Sequence, residues 1–181
     1  MRFDRSENAF GARQIALIGI MAATIECGKL ALSFLPNIEI VTLLCALYGY
    51  IFGFSGVIAA VVFVCIEPLI YGISSWVVTY FIFWPIVAFI FMMLARRGVK
   101  HRMIFVLVAT LLSVVFGMLC SVIDTAFFLG INEHYPKNLL LYYIRGLGFD
   151  IVHTVSNFAV FITLFPFLLD KFDKIKKTMS L

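Results

Sequence analysis

Between Arg13 and Leu169 the chain is a succession of long apolar stretches divided by short breaks, a spacing that suits a bundle of membrane-spanning helices. An α-helix needs roughly 20 apolar residues to cross the hydrocarbon core of a bilayer. Six stretches approach that length: Arg13 to Leu35, Glu39 to Phe54, Gly56 to Gly72, Trp76 to Ala95, Met103 to Leu129 and Leu139 to Leu169. Turn chemistry separates them at Pro36-Asn37, at Gly53 to Gly56 and at Gly72 to Ser75; Arg96 to Arg102 and Asn132 to Asn138 are polar loops. Of the 181 residues, 63% are hydrophobic and 13% charged, against about 45–50% and 25% in soluble domains. The expectation is an all-α integral membrane protein of six transmembrane helices with no soluble domain. Residues 1–12 would form a polar N-terminal segment, 13–169 the membrane domain and 170–181 a basic tail.

Orientation follows from the lysines and arginines, because cytoplasmic loops carry their excess. With six alternating helices, one side collects Arg2, Arg5, Arg13, Arg96, Arg97, Lys100, Arg102, Lys171, Lys174, Lys176 and Lys177. Both termini are therefore expected in the cytoplasm. The net charge of +4 is accounted for by this asymmetry and calls for no nucleic-acid partner. The segment before Arg13 is polar and the apolar run after it is too long for a signal-peptide core, so the first span is expected to stay in the mature chain. Cys27, Cys45, Cys65 and Cys120 lie far apart in apolar segments, which suggests packing rather than a disulfide framework or a metal site.

Ionisable groups inside the spans carry more information, since each costs at least a few kcal/mol in lipid unless paired or watered. Glu26, Lys29, Glu39, Glu67, Asp124, Arg145, Asp150 and His153 fall within or beside the spans, mostly in their outer halves. A polar chamber open to the outside is expected, with no continuous polar path through the inner half. Residues three or four apart share a helix face, so Gly146, Asp150, His153 and Asn157 align on the sixth helix, and Ser113, Gly117, Cys120 and Asp124 on the fifth. The candidate ligand-binding set is Lys29, Glu67, Tyr71, Asp124, Asn132, Arg145, Asp150, His153 and Asn157.

Purely structural readings stand beside this one. Glu26 and Lys29 are close enough in sequence to neutralise each other, and Glu39 is placed to cap the second helix. Asp124, Asp150 and His153 could form an interhelical hydrogen-bond network, and Glu67 could satisfy backbone freed by Pro68. Tyr71, Trp76, Tyr80, Tyr135, Tyr142 and Tyr143 fit an interfacial aromatic belt, with about two of them expected to stack on a ligand. No nucleophile elbow, HExxH motif or acidic metal cluster points to catalysis.

The first helix carries Ala12, Ala16, Gly19 and Ala23 on one narrow face, a groove that admits a second helix closely. Gly49 and Gly53 repeat the pattern on the second helix. This small-residue stripe, the Leu35-Pro36-Asn37-Ile38-Glu39 break and the Leu47-Tyr48-Gly49-Tyr50-Ile51-Phe52-Gly53 segment together resemble the substrate-binding S component of an energy-coupling factor (ECF) transporter. The glycine after Gly53 departs from the family spacing, being Gly56. The resemblance spans nearly the whole chain and implies a compact six-helix bundle in the plasma membrane of a prokaryotic cell. It further implies capture of a vitamin or vitamin precursor at the outer face, with a transmembrane T subunit and two ATPases supplying energy. The chain itself would need no cofactor, ATP being used by its partners, and would not be an enzyme. Ala12, Ala16, Gly19 and Ala23 match the family's T-subunit interface, and Phe34, Leu35, Pro36, Asn37, Ile38 and Glu39 its lid loop.

Acidic residues outnumber basic ones on the outer side, which favours a neutral or cationic guest, although Arg145, Lys29 or Lys137 could meet a carboxylate or phosphate. Cobalamin or its precursors, a pyridine or pyrimidine vitamin and a queuosine precursor all remain open. The alternatives of another class are a small homodimeric ion-coupled carrier and an integral membrane enzyme.

Overall fold

A computed structural model describes residues 11–179 of the chain. Among these residues there are six α-helices: α1 (Ala12–Ala31), α2 (Val41–Phe52), α3 (Phe54–Tyr71), α4 (Ser75–Arg96), α5 (Arg102–Leu129) and α6 (Tyr135–Met179). Five are long and apolar enough to cross a bilayer, all but α2, and they mark a multi-pass membrane protein. The upper end of the bundle is taken here as the end with loops 32–40, 72–74 and 130–134; the lower end has Gly53 and loop 97–101.

The second span differs from expectation. The stretch Glu39 to Phe54 reads as a full crossing, yet α2 is 12 residues long, about 18 Å at 1.5 Å per residue, against a hydrocarbon core of about 30 Å. Its lower end is fixed. Gly53, at φ 60°, joins α2 directly to α3 in a backbone conformation that side chains disfavour, and the Tyr50 hydroxyl donates to the Val99 carbonyl in the lower loop at 2.6 Å. The missing length is therefore at the top. Despite being short, α2 is the hub of the bundle, in contact with α1, α3, α4 and α6. It approaches its neighbours backbone to backbone: a Cβ on Gly49 would strike the Ala88 backbone of α4, and one on Gly56 would strike the Tyr48 backbone.

The lower half is closed by aromatic packing. Phe91, Phe105, Phe161 and Phe165 are essentially inaccessible, with ring centroids 5.0–6.1 Å apart. Gln14 Nε2 donates to Ser55 Oγ at 2.9 Å, tying the start of α1 to that of α3.

Helix α6 also corrects the reading. It spans 45 residues, beginning inside the segment expected to be a polar loop, with Pro136 in its first turn, where the missing N–H breaks no helical bond. It continues past Leu169 to Met179, so the segment expected as a tail is helical over residues 170–179. The expected N-terminal segment lies, up to residue 10, outside the described residues, as do Arg2 and Arg5.

Candidate functional site: a cavity above the short helix

Because α2 begins only at Val41, the chain between α1 and α2 crosses the top of the bundle as an irregular loop, with Asn37 in the left-handed region at φ 59°. Beneath that loop lies a cavity of about 270 Å³. The loop forms one side of it through Leu35, Pro36, Asn37, Ile38 and Glu39, and Val41 at the start of α2 also lines it. The other walls are Lys29 of α1, Tyr71 of α3, Tyr80 and Trp84 of α4, Phe116 of α5 and His153 of α6.

Three polar arrangements surround this space. Lys29 forms an ion pair with Glu67 of α3, a fully buried residue, and its ammonium lies 4.1 Å from the Tyr71 ring centroid and 5.4 Å from that of Tyr80. A buried carboxylate is tolerable in such a setting only with a cation or hydrogen-bond donors beside it. Glu26 is also buried, and both its carboxyl oxygens lack a hydrogen-bond partner among the described residues. It forms no salt bridge with Lys29 among the described residues. The expectation that Glu26 and Lys29 neutralise each other is thus replaced by a pairing across two helices.

Glu39 caps α2 as its position suggests. It accepts from the Thr42 backbone N–H at 2.8 Å and the Thr42 hydroxyl at 2.6 Å, and additionally from Asn157 Nδ2 at 3.0 Å. Asn157 is fully buried below the cavity, 3.4 Å from His153 Nε2. Loop, α2 and α6 are thereby linked by one carboxylate. The His153 ring faces Phe116 with centroids 5.2 Å apart, and Phe116 in turn lies 5.6 Å from Trp84. Trp84 is 2% exposed and its Nε1–H has no partner among the described residues.

Of the candidate ligand-binding residues, Lys29, Tyr71 and His153 line the cavity, as does Glu39 of the expected lid loop, while Glu67 and Asn157 support it from behind. Asp124, Asn132, Arg145 and Asp150 do not line it. Asn132 is exposed and closes a local turn, accepting from the His134 N–H and donating to the Leu129 carbonyl. Arg145 is exposed. Asp150 fills the space left by Gly117, where a Cβ would strike its carboxyl group, so it packs between α5 and α6. Phe34 is 74% exposed and is not one of the residues lining the cavity. Sequence reasoning missed Trp84 and Phe116, and placed Tyr80 in the interfacial belt from which a pair of rings was expected to stack on a ligand. The available signal was the spacing Trp76, Tyr80, Trp84, one helix face at intervals of four.

Two larger crevices, of about 440 and 500 Å³, are lined mostly by apolar residues on the flanks of α5 and α6. They offer little beyond van der Waals contact. The donor set of the cavity, one lysine, one carboxylate and one imidazole among aromatic rings, suits an organic guest; no metal-binding cluster of three or more His, Cys, Asp or Glu occurs among the described residues.

The small residues divide sharply. Gly49 is filled against α4, whereas Ala12, Ala16, Gly19 and Ala23 are all exposed and nothing lies within 4 Å of a Cβ built on Gly19. Among the described residues, nothing packs on the α1 stripe.

No protein-family model matches the chain, and no curated protein or solved structure matches it.

Proposed function

We propose that this chain is the substrate-capturing S subunit of an ECF-type importer, holding a small vitamin-like molecule in the cavity above α2. The observation that carries the reading is the cavity itself, formed where the central helix stops short, floored by buried polar groups and roofed by the 32–40 loop. A structural role alone gives no reason to truncate the most buried helix and leave an open space above it.

In this proposal the upper end faces the outside of a prokaryotic plasma membrane, the chain crosses it six times, with α2 and the 32–40 loop together making the second passage, and both termini are cytoplasmic. The aromatic lower half blocks passage straight through the subunit, which fits capture better than conduction. The loop covers the guest, and Glu39 couples loop position to the floor through Asn157. The exposed stripe Ala12, Ala16, Gly19 and Ala23 would receive a helix of the transmembrane T subunit, which two ATPases would drive. The chain would supply neither catalysis nor ATP hydrolysis.

Reconstitution tests this directly. Vesicles containing the chain with a T subunit and paired ATPases should accumulate the guest only with ATP inside the compartment where the ATPases sit, and vesicles with the chain alone should not. Ion-driven accumulation by the chain alone would instead establish the homodimeric carrier. Gly19→Trp should abolish association with the T subunit while leaving guest affinity unchanged.

A further inference from the structure

The proposed function leaves the guest's chemistry open; the cavity narrows it. Resting on that reading of the cavity, we infer that the guest is a compact, flat nitrogen heteroaromatic of one or two rings, bearing positive charge or amino N–H groups.

Size comes first. At about 270 Å³ the cavity lies just below the roughly 300–1,000 Å³ of ordinary small-molecule sites. A one- or two-ring molecule fits such a space, and a corrin macrocycle does not.

Shape follows from the walls. Tyr71, Tyr80, Trp84, Phe116 and His153 present rings on several sides. Flat guests gain most from such surroundings, because offset and edge-to-face ring contacts add to simple burial.

Charge is the sharpest constraint. Anion recognition is strongest with a free permanent cation at the cavity. Lys29 is held by Glu67 and lies over Tyr71, and Arg145 and Lys137 are exposed and outside the lining. Glu39, in contrast, lines the cavity with no cationic partner among the described residues; its hydrogen bonds come from neutral Thr42 and Asn157. Positive charge or an N–H group on the guest meets Glu39 favourably, and the ring faces add cation–π attraction. An anion meets excess negative charge.

The unpartnered Trp84 N–H supplies the complementary demand. A buried donor left without an acceptor is costly, and a ring nitrogen or carbonyl on the guest would satisfy it. One guest that both accepts from Trp84 and donates to Glu39 must carry an acceptor and a donor on a compact frame, as amino-substituted nitrogen heteroaromatics do.

The experiment is calorimetric titration of the full chain in lipid nanodiscs with three one-ring probes: 4-aminopyridine as the cation, nicotinamide as the neutral compound and nicotinate as the anion. The expected order is 4-aminopyridine, then nicotinamide, then nicotinate, with about tenfold between first and last, the ratio that one charge-assisted hydrogen bond supports. Glu39→Gln should reduce that ratio to under about threefold. Trp84→Phe, which removes the N–H and keeps a ring, should weaken nicotinamide, whose carbonyl and ring nitrogen accept, and leave 4-aminopyridine, protonated on its ring nitrogen and without an acceptor, nearly unchanged. Nicotinate binding as tightly as 4-aminopyridine, no binding by any probe, or a preference unchanged in Glu39→Gln overturns the inference. The wild-type ranking decides even where a variant fails to fold. Association with the T subunit and ATPases, measured on the same preparation, reports separately on the proposed function: its loss with the cation preference intact would overturn the importer reading alone.

Discussion

One face of α6 carries His153, Asn157, Phe161 and Phe165 at intervals of four, all of them buried, and the two halves of that face behave differently. The lower pair packs ring on ring, with centroids 5.0 Å apart, against Phe91 and Phe105. The upper pair turns toward a carboxylate, a neighbouring aromatic ring and an open space. The same helix therefore supports close packing at one end and a cavity at the other. What separates them is α2, which fills the bundle centre below and ends before the top. Stability is concentrated where α2 is present, and recognition where it is absent.

The strongest way to break this comparison is to remove a ring from the lower half. Phe165→Ala should destabilise the fold by about 3–5 kcal/mol, the usual cost of emptying a buried aromatic position, read as a lower unfolding temperature in detergent. Affinity of the folded fraction for the guest should stay within about twofold. A loss of affinity with little loss of stability would mean the two halves are not separate.

Next is Lys29→Met, which leaves Glu67 buried without its cation. The expected cost is about 2 kcal/mol, below the 3–5 kcal/mol of fully buried pairs because Lys29 is 22% exposed. Adding Glu67→Gln should recover most of that loss in a double-mutant cycle. Additive effects would show that the pair contributes little.

His153→Ala should invert the pattern of Phe165→Ala. Guest affinity should fall about tenfold and stability by about 1 kcal/mol, measured by titration and thermal unfolding on one preparation. Smallest of all in the isolated chain is Gly19→Trp, whose effect on unfolding should lie within about 0.5 kcal/mol because the site is open.

The polar groups at the upper end were legible because intramembrane ionisable residues are costly enough to stand out singly. Their partners were not. Lys29 finds Glu67 across 38 positions rather than Glu26 three away, because the choice depends on how α1 and α3 are rotated against each other. The second span was misjudged for a related reason: hydropathy registers the apolar run from Glu39 to Phe54 whether or not its first residues are helical, and Glu39 marks the start of α2 by capping Thr42. Asn132 was a local turn residue, recognisable from Asx chemistry. Asp150 and Gly117 were both placed on inward faces, and their direct contact follows from size complementarity between adjacent helices. Trp84 and Phe116 gave no chemical signal of their own, since an aromatic in a membrane helix is ordinarily packing or belt.

The central claim is that the space above α2 holds a guest molecule, and mass spectrometry of the small molecules released from the full chain, purified from the membranes of its own cells, tests it most directly. The expected result is one compound of one or two nitrogen-containing rings, close to one per chain, and absent from a preparation carrying both Glu39→Gln and Trp84→Phe. Release of lipid alone from both preparations would contradict it.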